Sequence, residues 1–314
     1  MTAPVIRAER CSKWYGAVLG LSDLTWSCAG GVVGLLGPNG AGKSTLMKLT
    51  AGLLRPSRGS IAVFDGNPFT DRAVRRRIGY SPEHENTYDE LTGRELVTHL
   101  AHLAGVPRAD APRIAAASLE AMGMGGAMDR PVKGYSKGMR QRTKLASTLA
   151  HEPDLIILDE PLTGVDPIAR TEIIHLIRQI AARGKTVIVS SHVLYEIEAL
   201  TQDIVVIYRG QLLADGNLFE IRRLCDQLPY RIVVECDQPR AVAGALAGAD
   251  HVRRVAYERR GLVIETSDPD RCYDALTDLM LERELGVRAM TSPDNDLGAV
   301  FDHLTTGGGR RTER

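Results

Sequence analysis

Three short runs along the chain are almost wholly apolar: Val32 to Leu36, Leu155 to Leu158 and Val187 to Ser190. A strand covered on both faces loses the inside–outside alternation, so these runs predict buried strands of a parallel sheet. A fourth run, Ile204 to Tyr208, follows a segment that reads as helix. Helical texture fills the intervals. The clearest case is Ile168 to Ala182, which starts after Pro167 and stops before Gly184. Strands alternating with helices predict an α/β domain with a largely parallel sheet. Residues 84–150 carry few strand signals and read as a helical insertion in that domain.

Near Leu224 to Pro229 the texture changes. Tyr230 to Glu235 alternates as a half-buried strand does, and Arg240 to Ala247 reads as helix. Val252 to Tyr257 and Leu262 to Thr266 flank Arg259, Arg260 and Gly261 as a hairpin. A helix over Arg271 to Glu284 and a short strand near Val287 complete the order β-α-β-β-α-β, a ferredoxin-like pattern. The expected organisation is therefore a core domain over residues 1–223, a small α+β domain over 229–305, and a disordered tail over 306–314.

Composition narrows the class. Hydrophobic residues make up 44% of the 314, enough for ordinary buried cores. Lys plus Arg and Asp plus Glu number 39 each, which argues against nucleic-acid binding through a broad basic surface. The run Arg75, Arg76, Arg77 is local and reads as a solvated helix face. Five cysteines (Cys11, Cys28, Cys225, Cys236, Cys272) are widely spaced, with no C-x-x-C pair. They read as small hydrophobes in a reducing compartment rather than as disulfides or a zinc site. The start MTAPVIRAER lacks the pattern of a signal peptide, and no stretch approaches the ~18 apolar residues of a membrane helix. A membrane role would need spans from another chain.

The strongest chemical signal is Gly37-Pro38-Asn39-Gly40-Ala41-Gly42-Lys43-Ser44-Thr45. It matches the P-loop pattern G-x-x-x-x-G-K-[ST] and lies between a predicted strand and a helix beginning near Lys43. Glycines let the backbone turn its N–H groups towards phosphate oxygens, and a helix N-terminus adds favourable potential. Lys43 would reach the terminal phosphates of a bound nucleotide, and the Ser44 hydroxyl would ligate Mg²⁺. A second signal is the strand Leu155 to Leu158 ending in Asp159 and Glu160. It would deliver two carboxylates to the ligand edge of an α/β sheet, Asp159 for Mg²⁺ and Glu160 as general base. The third is Tyr135-Ser136-Lys137-Gly138-Met139-Arg140-Gln141-Arg142. Ser136 reads as a helix N-cap, and the same helix start would present its hydroxyl and the Gly138 backbone to a phosphate.

Tyr135 to Gln141 followed by LIILDEPLTGVDP (Leu155 to Pro167) resembles the signature and Walker B block of ABC ATPases. It is most similar to those paired with ABC-2 type permeases, which points to export. The resemblance covers residues 4 to about 222, and the last 80 or so residues resemble, less specifically, a small domain that many such ATPases append. The resemblance implies a P-loop NTPase core with a helical subdomain. It implies a head-to-tail homodimer in which Ser136 and Gly138 act on ATP held by the second copy. It further implies that Tyr15 stacks on adenine, that Asp166 couples the two sites, and that His192 contacts the γ-phosphate and orients the attacking water. The expected partner is a separate integral membrane permease, and the expected location is the cytoplasmic face of the cell membrane. Asp296 to Leu304 is similar to the last helix of such proteins.

Several positions depart from the family pattern. Glu83 stands where Gln is usual; its carboxylate can ligate Mg²⁺ but, ionised, cannot donate a hydrogen bond. Lys137 and Met139 replace Gly and Gln, and Leu162 and Thr163 replace Thr and Ser. None removes Lys43, Glu160 or His192, so a live ATPase is expected. The rival reading is an ABC ATPase acting on ribosomes or DNA. A single P-loop and the lack of a long heptad run weigh against it.

Overall fold

The computed structural model describes residues 3–83, 88–217, 230–258, 261–282 and 286–291. The chain divides into two compact units, Met1–Leu218 and Phe219–Arg314. The first unit opens with β1 (Ile6–Tyr15), β2 (Val18–Cys28), β3 (Val32–Leu36), α1 (Lys43–Thr50), β4 (Arg58–Val63), α2 (Arg72–Arg76) and β5 (Ile78–Ser81). It continues through α3 (Gly93–Ala104), α4 (Ala111–Ala121), a 3-10 turn (Val132–Gly134) and α5 (Lys137–Leu149). Then come β6 (Leu155–Leu158), α6 (Pro167–Ala182), β7 (Thr186–Ser191), α7 (Leu194–Glu198), β8 (Asp203–Tyr208) and β9 (Gln211–Asn217).

Among the described residues this unit holds two sheets. The larger has the order β5-β6-β7-β3-β8-β9. It is parallel except for β9, which runs antiparallel to β8. The apolar runs are its centre: all four residues of β6 are 0% exposed. Its register sets the geometry of the site. Leu36 pairs with Ser191, Leu158 with Val189, and Ser81 with Leu158. The segments leaving β3, β5, β6 and β7 therefore emerge at one edge of the sheet, where α/β folds bind ligands.

The second sheet, β2-β1-β4, is antiparallel. The hydrophobic pattern does not announce it, because register shifts between Ala8 and Cys11 and between Cys11 and Lys13 break the period of two. Ile6, Leu21, Leu24 and Val63 of this sheet share one core with Leu46, Met47 and Leu49 of α1 and with Leu35, Ile157 and Ile188 of the parallel sheet. Burying each such side chain stabilises by roughly 1.5–3 kcal/mol, so the helix that follows the P-loop is anchored on both sides.

Helices α3, α4 and α5 form the expected insertion, and β5 pairs directly with β6 across it. A capping box starts α3: Glu95 N–H donates to Thr92 Oγ1 at 3.2 Å, and Thr92 N–H donates to Glu95 Oε2 at 2.9 Å. The arginine run is more than a solvated face. Arg75 donates to the carbonyls of Pro68 and Phe69, while Arg77 stacks on Phe64 and pairs with Asp154 at 2.7 Å. Cys11, Cys28, Cys236 and Cys272 are free thiols and buried, and burial raises the pKa of Cys11 and Cys272 to about 11.

The second unit runs β10 (Tyr230–Cys236), α8 (Pro239–Leu246), β11 (Val252–Glu258), β12 (Gly261–Thr266), α9 (Pro269–Glu282) and β13 (Val287–Thr291). Its antiparallel sheet has the order β11-β12-β10-β13. Ile232, Val234, Leu262 and Ile264 turn one face onto Val242 and Leu246 of α8 and Cys272 and Leu276 of α9. Arg259, Arg260, Cys225, Asp296 to Leu304 and the tail 306–314 lie outside the described residues. Among the described residues, no helix is long and apolar enough to cross a membrane.

Candidate active site

The loop from Gly37 to Gly42 joins β3 to α1. Gly42, the helix N-cap, has φ +111, and a Cβ there would lie 2.7 Å from the Gly20 carbonyl oxygen. Only glycine fits both demands. No side chain caps α1, so its first N–H groups belong to the loop. Ala41 N–H donates to Pro38 O at 3.1 Å and Ala41 O accepts from Gly210 N–H at 2.8 Å, while Asn39 and Gly40 stay exposed at the crest. Uncapped N–H groups at a helix start suit an anion.

Lys43 is only 5% exposed. Its Nζ donates to Gly37 O at 2.6 Å and Pro38 O at 3.3 Å, and it faces Glu160 Oε1 at 3.3 Å. The last contact is an ion pair without hydrogen-bond geometry. Ser44 and Thr45 occupy the first turn of α1. Thr45 Oγ1 accepts from the Tyr15 hydroxyl at 3.4 Å. The Tyr15 ring lies over Gly20, where a Cβ would come within 2.8 Å of it, and remains 44% exposed. The β1–β2 hairpin thus sets a flat aromatic face beside the loop.

Two carboxylates leave β6 in different settings. Asp159 is 2% exposed. Its Oδ1 accepts from Ser190 Oγ at 2.7 Å and its Oδ2 from the Tyr80 hydroxyl at 3.5 Å. Burial, followed by the nearby Asp159 charge, pushes the Tyr80 phenol far up, so it remains a donor. Among the described residues these hydroxyls are the side-chain donors to Asp159, and a carboxylate has about four acceptor sites. Capacity for a hard cation is left over. Among the described residues, no three His, Cys, Asp or Glu stand close enough to hold a metal by themselves. Mg²⁺ commonly takes one or two carboxylates together with substrate phosphates, and Asp159 has acceptor capacity for such a role.

Glu160 has φ +49, a left-handed conformation that costs a non-glycine residue on the order of 1–3 kcal/mol. Neighbours hold it there. Its N–H donates to Ser190 Oγ at 2.8 Å, and Oε2 accepts from Thr163 Oγ1 at 3.0 Å. Oε2 also meets His192 Nδ1 at 2.9 Å. A contact of this length with a carboxylate oxygen suits a protonated Nδ1 as the donor, since an ionised carboxylate only accepts. The strained turn brings one buried carboxylate against both Lys43 and His192.

The remaining sequence candidates gather elsewhere. Ser136 caps α5, its Oγ accepting from Met139 N–H at 3.2 Å. Asp166 caps α6, its Oδ1 accepting from Ala169 N–H at 3.0 Å. A Cβ on Gly138 would lie 2.8 Å from Ala169 Cβ, and the Lys137 side chain occupies the space beside Gly164. The α5 start therefore packs on the loop that carries Asp166, within one chain. Ser136 and Asp166 are exposed. Glu83 follows β5 with an exposed side chain; Lys144 Nζ donates to its carbonyl at 3.3 Å and to that of Pro82 at 2.6 Å. The sequence reading missed Ser190, Thr163 and Tyr80. Tyr80 and Ser190 are hydroxyls on strands without a motif, and their role appears only when β5, β6 and β7 lie side by side; Thr163 bonds Glu160 locally, across the turn that follows β6.

The family model for ABC transporter matches residues 21–163. The daunorubicin/doxorubicin resistance ATP-binding protein DrrA of Streptomyces peucetius is 36% identical over 281 residues, covering 88% of this chain and 84% of that protein. Nod factor export ATP-binding protein I of Sinorhizobium fredii is 33% identical over 306 residues, covering 96% of this chain and 85% of that one. Among solved structures, an ATP binding subunit of an ABC transporter superposes with a TM-score of 0.62 at 31% identity, over 70% of this chain and 93% of the other. The P-loop between β3 and α1, the acids ending β6 and the relatives agree: this chain belongs to the ABC transporter family as one of its ATP-binding subunits, built on an ABC ATPase cassette.

Proposed function

We propose that this protein hydrolyses ATP to drive a separate ABC-2 type permease in export. The observation that carries the reading is the meeting of Lys43, Glu160 and His192 at the ligand edge of the parallel sheet. Glu160 accepts a proton from water as its oxygen attacks the γ-phosphorus; the bond to the bridging oxygen breaks and ADP leaves. Lys43 stabilises charge on the phosphates, and His192 aligns the attacking water against Glu160. Tyr15 stacks on adenine. Ser44, Asp159 and Glu83 hold Mg²⁺, which when bound neutralises charge on the phosphate oxygens.

Ser136, Gly138 and Asp166 act across a head-to-tail homodimer, each copy completing the site of the other. Exposure of Ser136 and Asp166 supports this. So does the helix start at Ser136, which suits a phosphate. A cavity of about 470 Å³ beside Pro82, lined by Tyr80, Tyr88, Leu96, Leu100 and Arg140 among others, is the surface we assign to the permease. Its place at the end of β5, next to Glu83, would let ATP binding be felt there. The name of the Nod factor relative favours export. The protein would then sit on the cytoplasmic face of the membrane, held by the permease.

Isolation from native membranes in mild detergent, with mass spectrometry of what co-purifies, tests this. A stoichiometric multi-helix membrane protein is the expected result. Ribosomal proteins or DNA-repair factors in its place would overturn the transport reading and leave the ATPase reading standing.

A further inference from the structure

Arg170 lies in the first turn of α6, four residues after Asp166, and its side chain is 25% exposed. It makes three connections. Nη2 donates to Val165 O at 3.5 Å, inside the loop that carries Asp166. Nη1 donates to the Tyr195 hydroxyl, and Cζ stands 5.7 Å from the Tyr195 ring centre. Nε faces Glu196 Oε1 at 3.5 Å, an ion pair without a hydrogen bond. The Glu196 side chain is 4% exposed. Its Oε2 accepts from Ser191 Oγ at 2.7 Å, and Ser191 Oγ in turn accepts from Val193 N–H at 2.9 Å. His192 is thus flanked by two residues tied to one hydroxyl, and that hydroxyl is tied to the carboxylate facing Arg170.

We propose that Arg170 and Glu196 are a positioning pair that links the Asp166 loop to the aim of His192 at Glu160. The assignment rests on the ATPase reading above. Neither residue touches the reacting atoms. The three partners face three different nitrogens of one planar guanidinium, a fixed spread that the single nitrogen of an ammonium does not offer. The carboxylate is buried, so it needs its cation, and the pair resists coming apart. Loop, Arg170, Glu196, Ser191 and His192 form an unbroken series of contacts, so a shift of the loop is felt at the imidazole.

The test measures kcat and KM for ATP, and the thermal midpoint, in the full-length chain and four variants: Arg170→Gln, Arg170→Gln with Glu196→Gln, His192→Ala, and His192→Ala with Arg170→Gln. Misplacing a positioned group by about 1 Å costs on the order of a hundredfold in rate. Arg170→Gln is therefore expected to lower kcat by about ten- to a hundredfold with KM little changed. The Arg170→Gln, Glu196→Gln variant carries no unpaired buried charge. It is expected to regain the thermal midpoint but not kcat, and it serves as the readout should Arg170→Gln alone fail to fold. Adding Arg170→Gln to His192→Ala is expected to cost nothing further, because the effect travels through the imidazole.

Wild-type kcat in Arg170→Gln, recovery of kcat together with stability in the charge-free pair, or a full additional loss on top of His192→Ala would each overturn the assignment. If the wild-type chain releases no phosphate, or His192→Ala is as fast as wild type, the reading of the site falls and this pair falls with it. If His192→Ala is slow and Arg170→Gln is not, only the pair falls.

Discussion

The two groups of candidate site residues are held in opposite ways. Lys43, Asp159 and Glu160 are buried and bonded to one another or to neighbouring hydroxyls and carbonyls. Ser136 and Asp166 are exposed, and each spends its side-chain oxygen on capping its own helix. The first group is a charge cluster complete within one chain. The second is an exposed helix start packed closely on its own chain, Gly138 against Ala169 and Lys137 against Gly164. Chemistry that depends on the first group should fail in any setting. Chemistry that depends on the second should fail only where two copies meet.

The most severe way to break the comparison is Glu160→Gln. The amide keeps the shape but cannot take the proton, so hydrolysis should fall about 10²–10⁴-fold while ATP binding persists. Near-wild-type phosphate release would remove Glu160 as the base. Ser136→Arg comes next. It should cost about 10²–10³-fold, the scale of one lost phosphate-stabilising donor, with nucleotide binding by the single chain intact. Mixing this variant with an excess of Lys43→Ala protein sharpens the contrast. A head-to-tail dimer then contains one intact composite site and should recover part of the activity, which a site confined to one chain would not.

Tyr15→Ala should weaken ATP binding by about 1–3 kcal/mol, the usual worth of an aromatic face under a base, with little change in kcat. An unchanged KM would reassign the ring to packing over Gly20. The smallest effect lies outside both groups. His151 Nε2–H donates to Ile78 O at 3.1 Å, Nδ1 has no partner, and burial holds the group below its usual 6.5. The unfolded chain therefore takes up this proton first as pH falls. Stability from keeping His151 neutral is present above about 6.5 and is lost below it. Compared with His151→Gln, the wild-type urea midpoint should drop further as pH is lowered from about 8 to about 5. Parallel curves would show that His151 carries no such linkage.

Legibility in the sequence followed burial and motif density. β3 and β6 match the apolar runs residue for residue, because a strand buried on both faces leaves a continuous signal. α6 begins one residue before the expected start, at Pro167, where a proline at the first helical position is tolerated. The sheet β2-β1-β4 escaped notice because bulges break its alternation. Ser190 escaped for another reason: a serine closing an apolar run looks like the end of a strand, yet it bonds both Asp159 and Glu160 from the neighbouring strand.

Local order along the chain was enough to establish the P-loop, the acids that close β6, the Ser136 helix start and the alternating α/β plan, since each depends on residues close in sequence. The left-handed turn at Glu160, its joint contact with Lys43 and His192, and the tie from Arg170 to Ser191 arose only on folding. They depend on parallel register between strands far apart in the chain and on the burial of the charged side chains Lys43, Glu160 and Glu196 that this packing enforces.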